Sequence, residues 1–453
     1  MYGRFIVVFL LGFSSGLPLM LSGSTLQAWF SSAGVSVLAT GMLSLVGIPY
    51  VWRFLWAPLL DMFFVKSVGR RRTWLLASQL LLFLAFNAMA WCNPLQTPGV
   101  MALLALSIAF LSATQDIAID AHRVEYLTVT DHGLGASLAV LGYRMGMLVS
   151  GGLALILAHY LGWSGTWRLM GVLMLPGMLT SLLSREPSVQ STPKVCFSSM
   201  VAPLRELFER PGVLLLLAFI FCFKLGEAFT ATSSGIVMPF LIQGLGFSLE
   251  SIGYVNKILG VVAVIAGGLV AGIVLLRASL YKSLMFFGIF QAITNLLFLA
   301  LAVIGKHMVL FAVAVVCDNL AVGMGTTALV ALLMRLVHPQ YTATQFSVLV
   351  AFSALPRIFS GPFAALIQQF AGWTGVYAFA FVSAWAFVPL LMCLRPHVRE
   401  SRYLNGTEGR NRTDTVSPPP DFESGASTSS ATPAQACIIT NARHDTMGPS
   451  KYS

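Results

Sequence analysis

The sequence predicts an all-α polytopic membrane protein of twelve transmembrane helices arranged as two six-helix pseudo-repeats. Three observations carry this. The chain of 453 residues is 57% hydrophobic and only 10% charged, whereas about a quarter of a typical soluble protein is charged. A water-soluble fold of this size cannot hide so much apolar surface. Twelve apolar segments follow one another, separated by loops whose basic content alternates. The two halves of the chain also match each other at a constant offset.

In order, the segments cover 5–28, 38–60, 73–92, 100–122, 134–158, 166–183, 212–240, 251–275, 282–304, 308–335, 343–370 and 374–394. Most are near or above the roughly 20 residues that cross a hydrocarbon core. Gly and Pro interrupt several, which helix bundles in lipid tolerate. The first segment is too long for the apolar region of a signal peptide and no small-residue cleavage site follows it. One class of loop is basic, with Lys66 and Arg70–Arg72 after segment 2, Arg185, Lys194, Arg205 and Arg210 after segment 6, and Arg277 and Lys282 after segment 8. The other class, 29–37, 93–99, 159–165, 241–250 and 371–373, is nearly free of Lys and Arg, and Lys306 stands alone after segment 9. The positive-inside rule then places both termini and the even-numbered loops in the cytoplasm. Residues 185–211, with Pro187, Pro193, Pro203 and Pro211, form a polar cytoplasmic linker between a bundle over 1–184 and a bundle over 212–395. Residues 396–453 carry PPP at 418–420 and SGASTSS at 424–430. That composition reads as a disordered cytoplasmic tail.

The repeat appears on shifting by 210. Ser150-Gly151 falls on Ser360-Gly361, Gly162-Trp163 on Gly372-Trp373, Gly165 on Gly375 and Trp167 on Tyr377. Gly16, Ala121 and Ser137 fall on Gly226, Ala331 and Ser347 with no gap. Two six-helix halves around a midplane cavity are the layout of major-facilitator transporters.

Composition also excludes functions. The net charge of +10 is spread without a continuous basic patch, so nucleic acid is not the expected partner. Six cysteines are scattered with neither metal nor disulfide spacing. No pair of histidines has ligand spacing, and no nucleotide loop, catalytic triad or zinc motif is present. An enzyme, a metal site and a bound cofactor are not expected.

The chemistry concentrates in SATQDIAIDAHR, residues 112–123. Asp116 and Asp120 lie four apart, hence on one helix face one turn apart. Two carboxylates at the end of a membrane span are costly to keep charged, and desolvation and mutual repulsion favour a proton on one of them. That is the physics of a proton relay. Gln115, adjacent to Asp116, is a candidate for substrate contact, and Arg123, three residues beyond Asp120, offers the alternative of a structural ion pair.

The ionisable residues inside the segments are Asp116, Asp120, Glu227 and Asp318 against Arg53, Arg144, Arg168, Lys224, Lys257 and Arg357. Such residues face a bundle interior or a wet cavity. The excess of bases suits a substrate bearing carboxylate or phosphate. Arg144 and Arg357, deep in segments 5 and 11, and Lys224 are candidates for that contact. Asp318 and Asn319 on segment 10 and Gln345 on segment 11 are candidates for sugar hydroxyls or amides. Lys224 and Glu227, at i,i+3, are substrate candidates that could also neutralise each other, and Arg168 near a helix end could snorkel. Segment 1, GFSSGLPLMLSGSTLQAWF, reads either as a small-residue packing helix or as a polar helix lining the pathway. Gln27 and Trp29 at its end could meet a sugar, although a terminal Trp is commonly an interfacial belt residue.

The loop after segment 2 holds Asp61, then Gly69-Arg70-Arg71-Arg72. This resembles the major-facilitator loop motif, in which an acid ending helix 2 and a basic cluster latch the transporter, although the Asp-to-Gly spacing is longer here. Plain positive-inside anchoring is the other reading of the arginines. Stretches 12–30, 44–61, 69–82, 112–120, 141–155, 323–334 and 342–349 together resemble the AmpG muropeptide permease family, which shades into acetyl-coenzyme A transporters. The likeness spreads over 3–394. It implies a monomeric inner-membrane permease that imports N-acetylglucosaminyl-1,6-anhydro-N-acetylmuramic acid and its peptides by proton symport. It further implies a role in cell-wall recycling and, in some bacteria, in β-lactamase induction. Asp116 and Asp120 match that family's paired acids. Other classes compatible with the residues are a proton-coupled exporter of drugs or small metabolites and a non-transporting membrane sensor or lipid-linked-sugar enzyme.

Overall fold

A computed structural model of the chain describes residues 2–127, 132–186, 205–209, 212–232, 234–336 and 342–400. The described residues fold entirely as helices and their connections, without strands. Eight stretches are long and apolar enough to cross a membrane. Most of the linker and the tail beyond Glu400 lie outside the described residues, as do Cys196 and Cys437. Cys92, Cys222, Cys317 and Cys393 are free thiols.

Two of the eight stretches, Leu138–Leu183 and Val348–Leu394, are 46 and 47 residues long. At 1.5 Å per residue each is about twice the thickness of a hydrocarbon core. Both are broken at a glycine, Gly162 (φ 70°) and Gly372 (φ 65°). Only glycine takes that left-handed conformation at no steric cost. These two glycines are partners in the 210-residue repeat, and so are Trp167 and Tyr377, which are both fully buried. The repeat read from the sequence is thus matched by equivalent backbone breaks.

Two expected continuous helices are interrupted instead. Residues 37–62 alternate α-helix with 3-10 turns: Val37–Met42, Leu43–Gly47, Ile48–Trp52, Arg53–Leu55 and Ala57–Met62. Pro49 and Pro58 remove backbone donors there and prevent an unbroken ladder. The helix Val213–Ala228 ends at a run of turns, and helix resumes only at Val237–Pro239 and the π-turn Phe240–Gly244. Thr230, Thr232, Ser234 and Gly235 (φ 83°) between them favour turn over helix. Three π-turns, Leu21–Thr25, Val149–Leu153 and Gly253–Leu259, meet where the two halves pack.

Small residues bring backbones into direct contact. Gly12 and Gly16 pack on the backbone of Ala139 and Tyr143, while Gly142 and Gly146 pack on Phe9 and Phe13. The C-terminal half repeats the device, with Gly267 against the Leu320 carbonyl and Gly323 against that of Val264. Segment 1 therefore serves both readings made of it: Gly12 and Gly16 pack, while Ser15, Ser22, Ser24 and Gln27 line a cavity.

A Cβ on Gly142 would overlap the Phe9 carbonyl and approach the Phe13 nitrogen to 2.9 Å. We expect Gly142→Ala to cost roughly 1–3 kcal/mol by overpacking. It should lower the thermal unfolding midpoint of the purified protein, while Gly99→Ala, in open space, leaves it unchanged.

Candidate functional site

Residues from both halves enclose a cavity of about 490 Å³. One wall comes from the first helix and the interrupted segment 37–62, with Ser15, Ser24, Gln27, Ser44, Tyr50 and Arg53. Another comes from the helix Pro98–Tyr126, with Asp116, Asp120 and Arg123. Tyr143 and Arg144 close a third side, and Thr326, Phe346 and Arg357 represent the C-terminal half. Four arginines against two aspartates leave the lining net positive, as the count of intramembrane charges led us to expect.

Asp116 and Asp120 both reach the cavity, because the four-residue spacing stacks them on one face of a 29-residue helix. Asp116 Oδ1 accepts a hydrogen bond from the Ser15 hydroxyl, and Arg53 Nη1 stands 3.8 Å from its Oδ2. Asp120 Oδ1 is 3.3 Å from Arg123 Nη2, the i,i+3 ion pair that the sequence left as an alternative. Each acid thus has a cationic neighbour of its own and an opening to the cavity. Arg53 and Ser15 escaped sequence reasoning as partners. Nothing in the local pattern shows that a residue 63 positions before Asp116 will turn toward it.

Arg144 and Arg357 project into the cavity from opposite halves, and neither guanidinium has a hydrogen bond or ion pair among the described residues. Guanidinium is the group whose planar fork matches carboxylate and phosphate.

The other substrate candidates lie off the cavity lining. Gln115 donates to Ser14 Oγ at 3.2 Å. Lys224 Nζ binds Glu227 Oε1 at 2.9 Å and Thr326 Oγ1 at 2.8 Å, so this pair neutralises itself and holds Thr326, which does line the cavity. Asn319 donates to the Val315 carbonyl within its own helix and packs against Gly260. Gln345 is tied to Glu206. Asp318 is buried among Thr230, Gln291 and Thr294. Depth along a span was legible in the sequence, but which face turns inward depends on neighbouring helices. Trp29 is corrected too: its ring stacks on Trp163 at 5.5 Å and 14°, so that face is taken. Arg168 sits 4.9 Å above the Trp91 ring.

The basic loop motif acts as a structural clamp within the N-terminal half. Arg70 and Arg71 are buried and share Glu125, at 2.7 Å and 2.6 Å. Glu186 accepts from the backbone N–H of Arg71 and Arg72, at 2.7 Å and 3.1 Å, at the start of the helix Arg70–Met89. Arg72 donates to the carbonyls of Ser181 and Leu182. Gly69 (φ 108°) sets the entry angle of that helix. These contacts replace simple headgroup anchoring as the role of the arginines. The side chain of Asp61 lies outside the described residues.

At the end of the bundle away from these basic loops, the halves meet. Gln243 donates to the carbonyls of Ser31 and Val35, at 3.0 Å and 2.8 Å. Ser44 donates to the Ile358 carbonyl at 2.5 Å, and Lys257 Nζ to Ser24 Oγ at 2.6 Å. Tyr160 approaches Glu250 at 3.4 Å.

Residues 5–361 match the model of the Major Facilitator Superfamily. The chain is 43% identical over 401 residues to the anhydromuropeptide permease of Escherichia coli (strain K12), covering 88% of this chain and 81% of that protein. It is 35% identical over 396 residues to an uncharacterized protein of Haemophilus influenzae, covering 84% and 92%. Among solved structures it resembles the peptide transporter POT in complex with sulfate. There the TM-score is 0.67 and the identity 11%, over 88% of this chain and 95% of that one, a likeness of fold.

The unpaired state of Arg144 and Arg357 has a measurable consequence. Arg144→Met and Arg357→Met should each leave the free energy of unfolding within about 0.5 kcal/mol of wild type, as for residues that hold nothing in the folded state. Glu125→Ala removes an ion-pair partner that two buried guanidiniums share and should cost roughly 1–3 kcal/mol. Thermal unfolding in detergent compares the three.

Proposed function

The chain belongs to the anhydromuropeptide permease family within the Major Facilitator Superfamily, and from that premise we propose that it carries anhydromuropeptides across the inner membrane by alternating access, together with protons. In this reading the chain crosses the bilayer twelve times: the 46- and 47-residue stretches cross twice each, and the interrupted segments 37–62 and 213–244 once each. The basic loops face the cytoplasm. The contacts among Gln243, Ser44, Lys257 and Tyr160 then close the periplasmic side, so the cavity belongs to the cytoplasm-facing half of the cycle.

The observation that carries the substrate reading is the pair of unpaired guanidiniums, Arg144 and Arg357, one on each half of the cavity. A muropeptide carries carboxylates on its lactyl and peptide groups. A ligand gripped by one arginine from each half is bound best when the halves approach, which is how binding energy drives the change of access. Thr326, on the cavity lining, offers a hydroxyl for the sugar.

Asp116 and Asp120 are the proton carriers in this mechanism. They share the cavity with the substrate, and Arg53 and Arg123 stand within reach of their carboxylates. A proton entering Asp116 loosens its hold on Arg53; loss of the proton to the cytoplasm restores the pair. Movement down an inside-negative potential contributes about 2.3 kcal/mol per charge per 100 mV.

Uptake of labelled N-acetylglucosaminyl-anhydromuramyl-peptide into proteoliposomes, with and without an inward proton gradient, tests the scheme. Gradient-driven accumulation is expected in wild type and is expected to be lost in Asp116→Asn and in Asp120→Asn. Arg144→Met and Arg357→Met should each raise KM roughly tenfold to hundredfold, the loss of one charge-assisted hydrogen-bonded contact. Accumulation that survives both Asn changes would sink the relay, and no uptake by folded, oriented protein would sink the permease reading.

A further inference from the structure

The C-terminal half buries an acid that the cavity mechanism does not use. Asp318, 2% exposed on the helix Met308–Leu336, lies outside the cavity lining. Its Oδ1 accepts from Gln291 Nε2 at 2.8 Å and Thr230 Oγ1 at 2.9 Å; Thr294 Oγ1 lies 3.4 Å away and gives its hydrogen to the Gln291 carbonyl at 2.8 Å. Both donors are neutral, and no lysine or arginine pairs with Asp318 among the described residues. Its charged and titratable neighbours are few. The helix Val213–Ala228 contributes Glu227, held by Lys224 at 2.9 Å. The stretch Thr342–Ser383 contributes Tyr377, whose buried hydroxyl has no partner. The helix Leu280–Ile304 contributes Gln291, Thr294 and Asn295, none of which titrates. On that helix Gln291 Oε1 and Asn295 Oδ1 are also buried without a partner.

An ionised carboxylate in this setting loses far more hydration than two neutral hydrogen bonds return. It needs one positive charge, and none of the described residues pairs with it. The donors fix what that charge is. Gln291 presents an amide hydrogen and Thr230 its hydroxyl hydrogen to the acid. A metal ion would require their oxygens there instead. Oδ1 is already filled with donors, which leaves Oδ2 to take a proton. We propose that Asp318 is a second proton-binding site, separate from the cavity carboxylates, and that it is loaded and emptied during transport.

Its neighbours give such a site a means of acting at a distance. Thr230 lies in the run of turns after Ala228. Two residues on, Thr232 Oγ1 is 3.4 Å from Lys257 Nζ, which donates to Ser24 of the other half. Gly235, on the same run, packs against the backbone of Gly41, also of the other half. A change in how Asp318 holds Thr230 is thus transmitted to the contacts that join the halves.

The role in transport rests on the proton-coupled reading above; the binding of the proton does not, and the test separates them. Infrared difference spectra of the purified protein between acid and alkaline pH should contain a protonated-carboxyl stretch that is absent in Asp318→Asn and displaced in Asp318→Glu. A band unmoved by either change overturns the proposal, and so does a band abolished by sodium at constant pH. The Glu variant decides the matter if the Asn variant does not fold. In proteoliposomes, Asp318→Asn should equilibrate and exchange labelled muropeptide but no longer accumulate it. Loss of exchange along with accumulation would make Asp318 a substrate or packing group and overturn the proposal. Failure of the wild type to move muropeptide would remove the transport reading and leave the infrared result standing.

Discussion

A charge inside a bilayer must meet an opposite charge, a set of hydrogen-bond donors or water. Much of this structure is arranged to satisfy that requirement. Lys224 meets Glu227 and Asp120 meets Arg123. Arg168 covers the Trp91 ring. Once these are set aside, the charges with no counter-ion among the described residues include Arg144 and Arg357 in the cavity, Asp318 in the C-terminal half and Lys257 between the halves. Water can solvate the two arginines while the cavity stands open, and a substrate can replace that water. Asp318 and Lys257 are sealed from it, so their charge is balanced by proton exchange or not at all. The residues that serve packing and those that serve transport are separated by this difference.

The second requirement is that the two halves stay rigid while moving against each other. Backbone contacts through glycine answer it: Gly12, Gly16, Gly142 and Gly146 in one half and Gly267 and Gly323 in the other allow approach closer than any Cβ would permit. Glycine also brings the halves together, with Gly41 against the backbone of Gly361 and Gly235, but the helices there carry an added feature. There the helices are loosened by π-turns at Leu21–Thr25, Val149–Leu153 and Gly253–Leu259 and by the turns around Thr230–Gly235. Single hydrogen bonds such as Gln243 to Ser31 join them.

Much was legible in the sequence because it depends on local composition and short spacing. The apolar segments, the alternation of basic loops and the 210-residue repeat are of this kind. So is the stacking of Asp116 over Asp120, since a helix puts i and i+4 on one face whatever surrounds it. The Lys224–Glu227 pair was legible for the same reason. The break in segment 2 was not legible, nor that a 3-10 turn would carry Arg53 into the cavity.

What the sequence alone determined, then, is the helical membrane architecture, its two-fold repetition and the chemistry of one helix face. These follow from periodicities of a few residues and from the cost of exposing backbone or charge to lipid. Only the tertiary structure decided which buried charges face the cavity. Ser15 reached Asp116 across 101 residues, Glu125 gathered Arg70 and Arg71, and Asn319 turned from substrate candidate to a bond within its own helix. Those outcomes depend on the rotation of each helix about its axis. That rotation is set by the packing of glycine against distant backbone, a long-range contact that no window of neighbouring residues contains.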